Sequence, residues 1–489
     1  MVERELAGLV GRENVTSDAA VLKEYSQDNS FAPAHTPSCV VRPANTEEVQ
    51  AIVKWANEKG VPLIAVSSGP PHFRGDTVPQ GEGAVIVDLR RMDRIIRINA
   101  ANRVALIEPG VTFGQLQEAL AREGLSAYLP LAPRSSKSVL TSYLEREPIT
   151  MPGVHFDSTD PMLCTEIVFG TGDRMRTGEA AGPDPLEKQW EIGKAQISPF
   201  GPTQMDPQRL VSGAQGTIGI VSWISLKCRF LSVLAKAFLI PSDRLEPLIE
   251  LSYKLTRIRF TGSIFILNNL NLAALLRQSS QEIDALRTQL PPWVLFVSCE
   301  GYGPLPEEKV EYLEADLKEL AAAQGLQPEI RIGEVQASEM ASLLVRPSSE
   351  PYWKQRYRGG VAELFFLTTQ GRTPDFTRLL EEVVRREGGT TEGIGVYIQP
   401  VVQGTSCHCE FDFYYDPSGG EARDKTRRIV QAAASEMEAS GAFFSRPYGE
   451  WSGIAYRQSQ DTAGMQQKVK AIFDPNSILN PGKLCFGLE

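Results

Sequence analysis

The chain is poor in the residues that most metal and redox centres need. Its 489 residues include only four histidines, His35, His72, His155 and His408, so a cage of several imidazoles has little to draw on. Seven cysteines, at positions 39, 164, 228, 299, 407, 409 and 485, form no C-x-x-C pair and no four-cysteine run. That excludes the usual iron–sulfur spacings, and an odd, scattered set suits reduced thiols. No apolar run approaches the ~18 residues of a spanning helix. The opening MVERELAGLVGRENVTSD is polar and does not read as a secretory signal. A cytoplasmic protein without a membrane span is expected. Basic residues are outnumbered, 50 Lys and Arg against 60 Asp and Glu. The resulting charge of −10 argues against nucleic acid as a partner.

What is there is globular. With 42% hydrophobic and 22% charged residues the chain is neither disordered nor fibrous. Its length predicts roughly three folding units. Residues 43–66, PANTEEVQAIVKWANEKGVPLIAV, predict a helix and a buried strand, with Thr46 as N-cap, Val49, Ile52, Val53 and Ala56 on one face, and Gly60 as the stop. A Gly/Pro/Ser loop follows at 67–79. Strands are expected at 84–89 and 103–110, then a helix at 112–123 opened by a Thr112/Gln115 capping box. Residues 128–160 show little periodicity. The segment 166–178 reads as a hairpin turning at Gly172–Asp173, and 212–231 as a glycine turn entering a long strand. Beyond 232, helices at 305–324, 375–387 and 421–440 alternate with strands at 293–300, 361–368, 394–400 and 408–415. That pattern predicts an antiparallel sheet covered by helices.

Several segments in order carry a resemblance: PANTEEVQAIV, the 67–79 loop, VIVDLRRMDRI, IEPGVTFGQL, SGAQGTIGIV and DPNSILNPGK. Together they resemble the FAD-linked oxidases of the vanillyl-alcohol oxidase/p-cresol methylhydroxylase superfamily, over nearly the whole chain. The resemblance implies an α+β fold. A two-subdomain FAD-binding domain would occupy 1–231 and an α+β cap domain 232–457, with 458–489 returning to the FAD domain. It implies FAD as cofactor and a small-molecule substrate. An electron-acceptor protein, an iron–sulfur or cytochrome subunit, and a homo-oligomer are further expectations.

By the same resemblance the 67–79 loop would hold the pyrophosphate, through Ser67, Ser68, Gly69, Pro70, His72, Arg74, Gly75, Asp76 and Thr77. Pro109, Gly110, Pro133, Ser138, Thr141, Gly216, Thr217, Ile218 and Gly219 would line the rest of the flavin. Asn480 and Lys483 would close the site. The phenol-oxidising subclass holds its phenolate with a Tyr-Arg pair, which suggests Tyr456 and Arg457 in YGEWSGIAYR. The 2-hydroxy-acid subclass uses paired histidines on a strand, where this chain has only His408 in SCHCEFDF. Alternation puts Cys409, Phe411 and Phe413 on one face and His408, Glu410 and Asp412 on the other, so this run makes no four-ligand cage and no metal is expected. Glu410 and His408 are the acid/base candidates. Arg346, with Arg356 and Arg358 beside Tyr352, Trp353 and Tyr357, is a candidate clamp for an anionic or aromatic substrate. The leading expectation is oxidation of a 4-substituted phenol or related alcohol. The alternative is a D-2-hydroxy acid of the glycolate or lactate type.

Overall fold

The computed structural model describes residues 2–153, 161–202 and 206–487, so His155 lies outside the described residues. Three main sheets organise the chain. The first joins Val15–Thr16, Cys39–Val41, Val85–Asp88 and Leu63–Val66 in that spatial order, the last three strands being parallel. The helix Thr46–Lys59 packs Val49, Ile52, Val53 and Ala56 on it. Its N-cap is Asn45, not Thr46: the Asn45 side chain accepts from the Glu48 amide at 2.9 Å, while the Thr46 hydroxyl donates to buried Glu166 at 2.8 Å. Gly60 ends the helix at φ 64°.

The second sheet is antiparallel and runs Ile95–Asn99, Val104–Ile107, Gly219–Phe230, Met162–Phe169 and Arg174–Arg176. The expected capping box at Thr112 and Gln115 starts the helix Phe113–Arg122. One further helix, Val139–Leu144, stands in the stretch that lacks periodicity. Ser138 caps it, accepting from the Thr141 amide at 3.1 Å.

The third sheet draws only on residues after 233, in the order Leu234–Ser242, Trp293–Gly301, Ile264–Asn268, Ile394–Val401, Ser406–Tyr415 and Gly360–Thr368. All its pairings are antiparallel. The helices Leu245–Arg257, Pro306–Ala322, Thr373–Arg386 and Gly420–Ala439 cover one face, burying Leu248, Leu317, Leu380 and Ala433 with Cys407, Cys409, Phe411 and Phe413. The opposite face carries His408, Glu410 and Asp412, the last accepting from Asn271 of the helix Asn269–Leu276 at 2.7 Å. No helix among the described residues is long and apolar enough to cross a membrane.

The closing segment sews itself to the first half. The Leu63 amide donates to the Ile478 carbonyl and the Asn480 amide to that of Leu63. Asn480 Nδ2 reaches the carbonyls of Asp76 and Gln215 at 2.8 and 2.7 Å, which ties the 67–79 loop to the glycine turn before Gly219. Lys470, buried, donates to the Thr217 carbonyl at 2.6 Å and to Asp474 at 2.7 Å. Asp474 in turn accepts from the Ile478 and Leu479 amides. Removing one partner of such a buried pair typically costs about 3–5 kcal/mol, because the other charge stays buried. Asp474→Ala is therefore expected to lower the urea midpoint of the FAD-loaded protein by a loss of that order, whereas replacement of exposed Asp461 leaves it unchanged.

Candidate functional site

A cleft with about 1560 Å³ of atom-free space, counting its open mouth, lies where the first two sheets meet the third. On one side it is lined by Ser67, Ser68, His72, Arg74, Asp76 and Thr77, by Pro133, Arg134, Lys137 and Thr141, and by Gly213, Gln215, Gly216 and Gly219. On the other it is lined by Tyr352, Trp353, Lys354, Glu363, Tyr397, Glu410, Arg446 and Tyr448.

Of the expected cofactor contacts, Ser67, Ser68, His72, Arg74, Asp76, Thr77, Pro133, Thr141, Gly216 and Gly219 face this cleft. The others support it from behind. Ser138 donates to the Pro109 carbonyl at 2.5 Å, and its amide donates to the Ser68 hydroxyl at 3.0 Å. Gly110 stands so close to the Arg90 and Met92 carbonyls that a Cβ would come within 2.6 and 2.8 Å of them. Lys483 is spent on the Gly75 and Val78 carbonyls at 2.6 and 2.8 Å, and burial lowers it to about 8. Gly69, Pro70, Thr217 and Ile218 complete these turns without lining the cleft.

The first-half wall fits a dinucleotide. His72 Nε2 and Arg134 Nη1 are buried polar atoms without a hydrogen-bond partner. Buried polar groups are normally paired, so such atoms aimed at a cavity mark a ligand's place. Gly216, at φ 70°, has open space where a Cβ would stand. Arg134, beside the expected contact Pro133, is 4% exposed, and its guanidinium sits 5.4 Å from the Phe73 ring. His72 is pushed down to about 4 by burial and by Arg134, so it is neutral.

The third-sheet wall is a charge network. Arg74 donates to Glu145 at 3.0 Å, Glu147 at 3.3 Å and Glu363 at 3.2 Å. Lys137 pairs with the same Glu145 and Glu147 at 2.7 and 2.6 Å. Lys354 Nζ lies among Glu363 at 2.6 Å, Asp412 at 3.0 Å and Glu410, a shorter contact. The oxygens of Glu363, Glu410 and Asp412 are close enough to share one cation, and the lysine ammonium is that cation. Despite burial, Lys354 and His408 hold Glu410 ionised, well below the usual carboxylate range. Asp412, wholly buried, is instead pushed up to about 8.

His408 donates from Nε2 to Glu410 at 2.9 Å and accepts at Nδ1 from Arg446 at 3.3 Å. Burial lowers its pKa, consistent with that neutral tautomer. Arg446 ends this chain. It is 6% exposed, lies 4.3 Å from the Phe365 ring, and makes no ion pair with a carboxylate among the described residues. Burial, then the nearby Arg74 charge, lowers it to about 10, so it stays cationic at neutral pH.

Three expected substrate residues lie elsewhere. Tyr456 donates to Gln466 at 3.1 Å, joining two C-terminal helices, and Arg457 beside it is exposed. Arg346 is exposed as well. Arg356 is spent largely on carbonyls and Arg358 stacks on Tyr357. The helix Gly449–Arg457 turns its Trp451 edge inward, which carries Tyr456 and Arg457 away from the cleft. The segment 346–358 does reach the site, through Tyr352, Trp353 and Lys354 rather than through its arginines. His408 does not line the cleft and reaches it through Glu410, Arg446 and the Tyr397 ring, 5.5 Å away.

Comparison with known proteins agrees with this geometry. Residues 37–139 match the family described as FAD binding domain. The chain is 23% identical over 510 residues to the 4-cresol dehydrogenase [hydroxylating] flavoprotein subunit of Pseudomonas putida, covering 98% of this chain and 94% of that one. It is 31% identical over 220 residues to D-2-hydroxyglutarate dehydrogenase of Stutzerimonas stutzeri (strain A1501), covering 44% of this chain and 43% of that one. The crystal structure of p-cresol methylhydroxylase with substrate bound superposes with a TM-score of 0.84 at 21% identity, over 99% of this chain and 96% of that one.

The raised pKa of Asp412 has a consequence for pH. Between roughly pH 4 and pH 8 the folded chain holds a proton that the unfolded chain has released, so this group makes stability fall as pH rises. Asp412→Asn is expected to flatten that fall by up to one proton, about 1.4 kcal/mol per pH unit at most. Urea midpoints measured across the range check it; an unchanged slope contradicts the assignment.

Proposed function

Taking as premise that the chain is an FAD-dependent oxidoreductase of the p-cresol methylhydroxylase type, with residues 37–139 in the FAD binding domain family, we propose that it oxidises a small 4-substituted phenol at the benzylic carbon of its para substituent. The observation that carries this reading is Arg446, a buried guanidinium facing the cleft without a carboxylate partner. A buried cation of this kind calls for an anion from outside the protein. The substrate's phenolic oxygen supplies it, and the positive charge lowers the phenol's own pKa.

FAD, when bound, supplies the hydride acceptor. His72, Arg134, Lys137 and Gly216 are the residues proposed to hold it, with Ser67, Ser68, Asp76, Thr77, Thr141 and Gly219 around it. Tyr352, Trp353, Tyr397 and Tyr448 would clasp the aromatic ring and keep water off the reacting carbon. Burial raises the phenol groups of Tyr352, Tyr397 and Tyr448, so they are neutral; Tyr397 already donates to Gln399, and the hydroxyls of Tyr352 and Tyr448 are the ones proposed to bond to the ligand. Glu410 is a fixed counter-charge rather than the acid/base expected from the sequence. Lys354 and His408 occupy its two oxygens and keep it ionised. A phenol suits such a site, because it binds against Arg446 as the phenolate, its proton released to solvent, and the anion then has only a hydride to give up. A 2-hydroxy acid would put its carboxylate on Arg446 but needs a separate base for its alcohol proton. The match to the hydroxy-acid relative spans under half of this chain, whereas that to the cresol dehydrogenase spans nearly all of it. That relative's name as a flavoprotein subunit supports an electron-acceptor protein as partner here too.

The test is the flavin absorption band under anaerobic conditions. Addition of 4-cresol is expected to bleach it, with Arg446→Gln slowing the bleaching on the order of 100-fold or more. Bleaching by D-2-hydroxyglutarate or D-lactate, with none by 4-cresol, would reverse the assignment.

A further inference from the structure

A second cavity, with about 1180 Å³ of atom-free space, adjoins the first. The two share Phe73, Arg74, Gln215, Glu363 and Tyr448 as walls. Arg74 stands at the junction, its guanidinium 5.3 Å from the Tyr448 ring. Beyond it the lining turns apolar. Phe31 comes from the first half, Ala362 from the strand Gly360–Thr368, Val430 and Ala434 from one face of the helix Gly420–Ala439, and Trp451 and Ile454 from one face of the helix Gly449–Arg457. Spacings of four and three residues put each helical pair on the same side.

The polar side chains of this cavity are largely spent on the protein. Glu450 accepts from Gln431 at 2.7 Å and pairs with Arg427, Gln215 donates to the Pro447 carbonyl at 2.6 Å, and Lys483 is held by two carbonyls. Among the described residues, no buried polar atom without a partner belongs to this lining. The first cavity contains three such residues, His72, Arg134 and Trp353. With His72 and Arg134 taken by the dinucleotide, Arg446 still asks for an anionic head in the first compartment, whereas the second asks for an uncharged hydrocarbon.

We propose that the second cavity is a tail site, and that the substrate carries a linear hydrocarbon chain that passes Arg74 and Tyr448 into it. This rests on the reading of Arg446 as the seat of the substrate's anionic head. Its consequence is a preference for chain length that a small phenol does not reveal.

The experiment uses the FAD-loaded protein and a series of 4-alkylphenols from methyl to heptyl. The ligand concentration that half-saturates anaerobic flavin reduction is expected to fall about three- to fourfold per added methylene over the first few carbons. Filling the tail site with Ala434→Leu, or with Ile454→Phe should the first variant not fold, should abolish that gain and leave 4-cresol unaffected. Quenching of Trp451 fluorescence supplies a readout independent of turnover. 10-Bromodecanoate, whose bromine quenches an indole it touches, should quench the wild type beyond decanoate itself, and neither filled variant nor Trp451→Phe should show that excess. If 4-cresol reduces the flavin while longer chains bind no better and the bromine-dependent quenching is absent, the tail site is wrong and the head site stands. If no phenol reduces the flavin but the bromine-dependent quenching is seen and the filled variants lose it, the tail site stands and the phenol reading fails.

Discussion

The structure turns on charge buried between its two halves. Arg74 from the 67–79 loop reaches Glu363 of the third sheet, and Lys354 gathers Glu363, Glu410 and Asp412 beneath it. Buried ions are costly unless each is matched. Arg74, Lys137, Lys354 and Arg446 stand against Glu145, Glu147, Glu363, Glu410 and Asp412. With Asp412 pushed up to about 8 it holds its proton at neutral pH, and four cations then face four carboxylates. The match is nonetheless uneven. The carboxylates crowd around Arg74, Lys137 and Lys354, and Arg446 is left with neutral partners, the His408 imidazole, the Glu145 carbonyl and the Phe365 ring. Local imbalance inside overall neutrality leaves a site poised for an anion.

Much of this framework was legible in the residues. The helix Thr46–Lys59, the Thr112 capping box and the helices and strands beyond residue 290 follow from periodicity and end signals, which are local. The alternation in SCHCEFDF correctly separated the cysteine face from the His408/Glu410 face. The N-cap at Asn45 was misread because Asn and Thr are both good caps. The choice depended on Glu166, 120 residues away, which claims the Thr46 hydroxyl. The helix Val139–Leu144 had a local signal, Ser138 three residues before Thr141, but it is too short to show a period.

The site was less legible, since its geometry is tertiary. Tyr456 and Arg457 matched a pattern in types and order, but one turn of helix decides whether such a pair faces the cleft, and here Trp451 takes the inward edge. Arg446 and Lys354 carried no motif. What singles them out is burial together with their partners, which only the packed structure supplies. The cofactor side fared better because its loop residues are neighbours in sequence. Even there, about half of the expected contacts line the cleft and the rest hold the lining in place.

If Arg446 binds a phenolic oxygen as its anion, a phenol that cannot be oxidised will show it. 4-Nitrophenol reports its own ionisation by colour, and the measurement is its spectrum when bound to the FAD-loaded protein at a pH below its free pKa. The yellow phenolate is expected in wild type and is lost in Arg446→Gln. Binding as the colourless neutral phenol in wild type would contradict that role of Arg446.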